Sequence, residues 1–422
     1  MINIGTQGYN KMMKLKPLRN LIMESTPITR SFSTFTKQID NPDTLFLRGN
    51  PQTESGHLLY TKPRPYQIQA GQLTHLYNPL TATHPKISKF SEQLKQVSQD
   101  KPLFICVLDA SQDDLGARAN FGRGNPTHLP TAYDEFLKKL SNFQVNRHNK
   151  EALESLYLMG QVDIMDLLKE CNELDPTKPE ERGRMIECVD EHYQRAAKIV
   201  ECCMIEGNVG KGGHLYYING DHNNMASVVT GVYRARGVKP VVINLDFHSD
   251  ARLSIDGPHS GTWLSDGYAR NEIQHTYIIG LSLLSNSDAC IDNLERFGVT
   301  YRSYTWDEIQ MNGGSRLALP SITNEVILDI AKRFGKEYPV IFSIDGDTVC
   351  GLPCSAQNEV LGYPPEDVYP MVATFTRELN VVGFTIQELK PGLDTSKNSA
   401  VGEFLANNLF LYAQTLLKKA NQ

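Results

Sequence analysis

The feature that most constrains this chain is a repeated alternation. Short apolar runs rich in β-branched and aromatic residues recur at 104–110, 214–222, 241–250, 276–281, 300–306, 340–347 and 381–389. Between them lie stretches of helical period, among them TAYDEFLKKLSNF, ERGRMIECVDEHYQRAAKIVECCMIEG, NMASVVTGVYRAR and TNEVILDIAKRFG, and AVGEFLANNLFLYAQTLLKKA closes the chain. Runs apolar throughout, alternating with helices, predict an α/β fold with a mainly parallel sheet covered on both faces. PPED places prolines and acids where a helix N-terminus accepts them. No fixed-period repeat and no Gly/Ser linker interrupts the alternation, so residues 101–422 read as one domain. A Pro/Thr/Tyr-rich stretch at 41–100 reads as an irregular extension before it.

Composition excludes several classes. With 422 residues, 40% of them hydrophobic, the chain can bury a large core. A net charge of −6 and no Lys/Arg stripe give no field for nucleic acid. No run of about 18 apolar residues is present, so no membrane-spanning helix is expected. The eight cysteines are scattered and read as reduced intracellular thiols; Cys350 and Cys354 have no second pair to complete a metal site. Residues 1–40 differ from the rest. Through residue 37 they carry Lys11, Lys14, Lys16, Arg19, Arg30 and Lys37 against Glu24 and run into TRSFSTFT. That is the composition of a mitochondrial transit peptide, which predicts a matrix location; the alternative is a basic arm on a cytoplasmic protein.

Candidate chemistry lies where the strands end. In open parallel sheets ligands sit beyond the carboxyl ends of the strands, and three strands here finish there in polar residues. GDH brings His222, DFHSD brings Asp246, His248 and Asp250, and SIDGD brings Asp345 and Asp347. Side chains at alternate positions of an extended strand are roughly 6.6 Å apart. One cation therefore reaches all of 246, 248 and 250 only if the strand end curls. Two cations about 3.5–4 Å apart with a bridging carboxylate would fit instead. Carboxylates with one imidazole per ion suit manganese better than zinc.

These segments carry a resemblance. VVINLDFHSDAR resembles the D-A-H-x-D motif of the ureohydrolases, the arginase, agmatinase and formimidoylglutamase family. YYINGDHNN resembles its G-G-D-H motif, and FSIDGDTVCGLP its S-x-D-x-D motif, in matching order over roughly residues 100 to 415. The resemblance implies a three-layer α/β/α sandwich with a central sheet of about eight strands, the arginase/deacetylase fold, and two Mn2+ per chain. Carried over, His222, Asp246, Asp250 and Asp345 hold one ion; Asp246, His248, Asp345 and Asp347 hold the other, with Asp246 and Asp345 bridging. VVGFTIQELKPGLD puts Glu388 opposite a substrate amidine, where a carboxylate accepts two N–H bonds. GARANFGRGNP resembles the early loop of the formimidoylglutamase-like branch, with Asn120 and Arg123 as substrate contacts.

Two departures sharpen the placement. The acid that follows S-x-D-x-D in the family is Cys350 here. PHSGTWL has Ser260 where arginases and agmatinases carry a proton-shuttling His, and His259 stands one place earlier. The expected function is hydrolysis of a C–N bond in a linear amidine or guanidino compound, closest to the formimidoylglutamase-like branch. Water shared by two ions is the expected nucleophile, Asp250 the proton carrier and His259 a candidate helper; Ser260 is a candidate substrate contact. The alternatives are an agmatinase- or arginase-type amidinohydrolase releasing urea, a single-zinc deacetylase, and a non-catalytic subunit keeping the fold. The expected partner is a small-molecule amidine or guanidino substrate, with a homo-oligomer left open.

Overall fold

The computed structural model describes residues 43–48, 50, 67–76, 86–99, 101–121, 130–207, 213–255, 257–303, 314–353, 362–391 and 400–422, all within one compact unit, Phe35–Gln422. The basic leader, Arg123 and Cys354 lie outside the described residues.

Ten strands form one sheet: β1 (Leu47–Arg48), β2 (His75–Leu76), β3 (Ile105–Ala110), β4 (Leu156–Val162), β5 (His214–Asn219), β6 (Val241–Leu245), β7 (His275–Leu281), β8 (Thr300–Ser303), β9 (Pro339–Asp345) and β10 (Asn380–Gln387). Their spatial order is β1-β4-β3-β5-β10-β9-β6-β7-β8, with β2 also pairing β4. Every pairing is parallel except that of β1 with β4. Eight strands are four residues or longer, as the resemblance implies.

Strand pleat explains the layers, because successive side chains point to opposite faces. Tyr216, Ile243, Phe342 and Phe384 pack under the helices Ala132–Ser141, Ser315–Arg333, Pro365–Glu378 and Ala400–Ala420. Leu215, Val242, Ile341 and Val382 face the helices Pro179–Glu206, Met225–Arg236 and Trp263–Ala269. The Pro365 helix begins as its sequence predicts, with proline at its start and Glu366 and Asp367 in the first turn.

Two elements differ from the sequence reading. β4, LYLMGQV, is buried one strand in from the sheet's edge and carries only one β-branched residue, so its strand character owes more to pairing with β3 than to propensity. The stretch at 41–100, expected to be irregular, supplies β1, β2 and the helix Ile87–Ser98, which buries Phe90 and Leu94.

Register sets up the site. Ile218, Ile386, Ile344 and Leu245 form one row across β5, β10, β9 and β6. One residue further on, Asp345 ends β9 and Asp246 directly follows the neighbouring β6.

Candidate metal centre

Each ligand-bearing strand turns sharply as it leaves the sheet. After β6 the chain curls: Asp246 Oδ1 accepts the His248 N–H at 2.7 Å, and Asp250 adopts φ +46°. The extended spacing assumed for 246, 248 and 250 therefore does not hold, since β6 ends at Leu245. After β9, Asp345 Oδ1 accepts the Asp347 N–H at 2.9 Å and caps the turn Gly346–Thr348. After β5, Asp221 accepts the Asn223 N–H at 2.9 Å and begins the turn His222–Asn224. Gly220 makes that last turn possible, because a Cβ there would lie 2.3 Å from Asp113 O and 2.6 Å from Ser111 O.

These turns bring all six predicted ligands together. Asp250 Oδ2 and Asp345 Oδ2 lie 2.9 Å from His222 Nδ1, and Asp246 Oδ2 lies 3.2 Å from it. His248 Nδ1 is 2.9 Å from Asp347 Oδ2 and 3.9 Å from Asp246 Oδ1. Among the described residues two groups have the spacing to hold an ion: His222, Asp246 and Asp345, and Asp246, His248 and Asp347. Asp246 belongs to both, and Asp345 to the first alone.

Donor chemistry fits cations. His222 Nδ1 and Nε2 and both carboxylate oxygens of Asp347 are fully buried, and none meets a partner in hydrogen-bond geometry. Buried acceptors without donors are costly unless a cation compensates them. Burial, with Asp345 and Asp250 nearby, holds the Asp246 carboxyl well above its usual range. Burial and Asp345 push Asp347 up to about 7. Burial works against the charged His222, but Asp250 and Asp246 hold its imidazole well above the ordinary value. Oxygen-rich donors with imidazole suit a hard or borderline divalent ion such as Mn2+.

His222, His248, Asp250, Asp345 and Asp347 line a cavity of about 460 Å³, with Asp246 fully buried behind them. A larger cleft of about 720 Å³, between the helices Ser315–Arg333 and Pro365–Glu378, is lined by Arg316, Glu366, Asp367 and Arg377 and, among the described residues, holds no group with ligand spacing. Glu388 enters the smaller cavity from the loop after β10, at φ +61° and 4% exposed. Its Oε1 accepts the His222 N–H at 2.7 Å; its buried Oε2 has no hydrogen-bond partner. Burial, then Asp221 and Asp345, hold this carboxyl well above its usual range against the opposing charge of Lys390.

Asn120 and Ser260 also line the cavity, joined by Asn120 Nδ2 donating to Ser260 Oγ at 3.1 Å. His259 does not line it. The turn His259–Thr262 directs its ring inward, where Nδ1 accepts the Gly261 N–H at 3.2 Å, so the role of proton helper has no support in the geometry.

The sequence reading does not single out Trp263 and Arg252. Trp263 is fully buried, and its indole N–H donates to Asp250 Oδ2 at 2.8 Å. Arg252 lines the cavity mouth, with Nη1 donating to Asn120 Oδ1 at 2.9 Å. Arg252 continues the alternate spacing of 246, 248 and 250, a signal that could have found it; no local pattern marks Trp263.

Comparison with known proteins agrees with this fold. Formimidoylglutamase from Bacillus subtilis subsp. subtilis str. 168 is similar in structure at 16% identity, with 87% of this chain and 96% of that one covered and a TM-score of 0.58. Trypanosoma cruzi formiminoglutamase with Mn2+ aligns at 19% identity, covering 75% of this chain and 95% of that one, with a TM-score of 0.54. Arginase from Medicago truncatula aligns at 14% identity, covering 78% and 92%, also with a TM-score of 0.54. At these identities the likeness bears on the fold. No curated protein matches the sequence. The sequence profile of the Arginase family matches residues 127–412, well over half of the chain, and the chain therefore belongs to the arginase family.

Proposed function

We propose that this chain is a two-metal hydrolase that cleaves the C–N bond of a linear amidine carrying a carboxylate at its far end. The carrying observation is the pair of ligand groups sharing Asp246, buried apart from the half-buried His248, with the unpartnered Glu388 Oε2 beside them. His222, Asp246 and Asp345, with Asp250 beside them, would hold one Mn2+, and Asp246, His248 and Asp347 the other, with Asp246 shared. Bound there, two such ions supply Lewis acidity that lowers the pKa of water.

The chain's own groups do the rest. Glu388 Oε2 accepts an amidine N–H and turns the trigonal carbon toward the ligand cluster; the His222 N–H on Oε1 fixes its carboxylate plane. Trp263 occupies Asp250 Oδ2, leaving Oδ1 to take a proton and pass it to the departing nitrogen. The far end of the substrate meets Arg252, the only charged side chain of the described cavity lining outside the ligand set and Glu388. A guanidinium there supports a carboxylate-bearing substrate over agmatine, whose far end has none. Formimidoylglutamate has the required features.

The test is Mn2+-loaded protein against formimidoylglutamate, arginine, agmatine, guanidinobutyrate and guanidine, with products identified. Formamide from formimidoylglutamate supports the proposal. Urea as the main product moves the chain to the arginase- or agmatinase-type reading, and no turnover on any of the five overturns the assignment. We also propose that residues 1–40 direct the chain to the mitochondrial matrix. A reporter fused to that segment and found in the cytoplasm would refute this.

A further inference from the structure

A guanidinium of the long helix Pro179–Glu206 reaches the residues on either side of Asn120. Arg182 Nε donates to Ala119 O at 3.0 Å, and its guanidinium carbon sits 5.1 Å from the centre of the Phe121 ring. The two contacts bracket Asn120. Asn120 in turn joins two other cavity residues, accepting from Arg252 Nη1 at 2.9 Å and donating to Ser260 Oγ at 3.1 Å.

Phe121 shows that this backbone is held and does not merely rest there. It adopts φ +61°, a region unfavourable for a bulky side chain, which persists only where surrounding contacts impose it. Its ring is 63% exposed, so burial does not impose it. The Phe121 N–H closes a turn on Arg118 O at 3.0 Å, and the guanidinium over the ring holds the side-chain end. A planar guanidinium can bond a carbonyl edge-on while offering its face to a ring; an ammonium cannot do both with the same geometry.

We propose that Arg182 is a positioning residue for substrate selection: by clamping the backbone on both sides of Asn120, it holds Asn120 between Arg252 and Ser260 and so fixes where the far-end carboxylate is received. The inference rests on the reading of this cavity as an amidine site with Arg252 as its anion contact. Arg182 stands three residues into its helix and lines no part of the cavity itself, so its influence passes through Asn120.

The test uses full-length, Mn2+-loaded protein with Arg182→Met, Arg182→Lys, Phe121→Ala and the Arg182→Met/Phe121→Ala double variant. Steady-state kinetics on the best amidine substrate are paired with calorimetric binding of glutamate, which carries the far-end carboxylate without the amidine. Arg182→Met should raise KM and weaken glutamate about tenfold while kcat stays within about twofold, as expected when orientation and not the reacting groups is lost. Arg182→Lys should recover part of the loss, and Arg182→Met should add less than about twofold on the Phe121→Ala background. KM and glutamate affinity within about twofold of the parent, or an equal loss in kcat and kcat/KM, would overturn the proposal; so would a parent that binds no glutamate. If Arg182→Met does not fold, Phe121→Ala alone must weaken glutamate binding, and its failure to do so overturns the proposal. A parent that turns over no amidine refutes the functional reading by itself, while glutamate affinity across the variants still decides the role of Arg182.

Discussion

Replacing Trp263 with Phe tests the hold on Asp250. The indole N–H donates to Asp250 Oδ2 at 2.8 Å, and both residues are buried, with Trp263 0% and Asp250 8% exposed. A hydrogen bond to a charged group contributes about 1.5–3 kcal/mol. Phenylalanine keeps most of the apolar contact but cannot donate, so that amount should be lost from whatever Asp250 does. At about 1.4 kcal/mol per factor of ten this is roughly a 10- to 100-fold loss in metal affinity or in kcat/KM. The smaller ring also leaves a void, which should lower stability by about 1–2 kcal/mol without unfolding the chain. Calorimetric titration of Mn2+ into metal-free protein, alongside turnover of the best amidine substrate at 25 °C, separates the two effects. Metal affinity and kcat/KM both within threefold of the parent would refute the argument that the indole fixes Asp250, whatever the melting temperature does.

Asp246→Asn and Asp345→Asn should each lose bound metal and activity together, measured as Mn2+ per chain after dialysis; full turnover by either would count against its place as a ligand. Gly220→Ala should cost about 1–3 kcal/mol in urea melts and weaken metal binding, because its Cβ meets the Asp113 and Ser111 carbonyls, which as backbone cannot move aside cheaply; a melt unchanged from the parent would refute this. Asp109 gives a pH prediction: burial pushes its carboxyl up to about 7, against hydrogen bonds from Ser111 and Gln161 and with help from Asp134. The folded chain thus keeps a proton between about pH 4 and 7 that the unfolded chain has lost, so stability should fall by up to about 4 kcal/mol as pH rises through that window. Asp109→Asn should flatten this part of the slope and be more stable than the parent at pH 8; identical slopes in melts at pH 5 and 8 would refute the reading.

The two reasons offered for the metal site from sequence fared differently. The ligand types and their place at strand ends are local facts, and all six side chains converge as expected. The argument for two ions from extended-strand spacing failed, because β6 ends at Leu245 and the chain curls at Asp250. The pairing of sites rests instead on Asp246 being shared between two ligand groups. β4 escaped notice because its residues show little strand preference of their own, and a neighbour supplies it.

What the sequence determined by itself was whatever period and composition encode: strands that alternate with helices, a helix start at Pro365, and acids and imidazoles clustered where strands finish. Which of those ends stand side by side was decided only in three dimensions. The chain order β5, β6, β9, β10 becomes β5-β10-β9-β6 in the sheet, and this places Asp345 against Asp246, brings the Glu388 loop onto the His222 N–H, and folds Trp263 beneath Asp250. Hydrogen-bond partners 13 to 166 residues apart, as at Trp263 and Glu388, are chosen by packing and register. A local pattern cannot specify them, because burial and partner are properties of the assembled sheet.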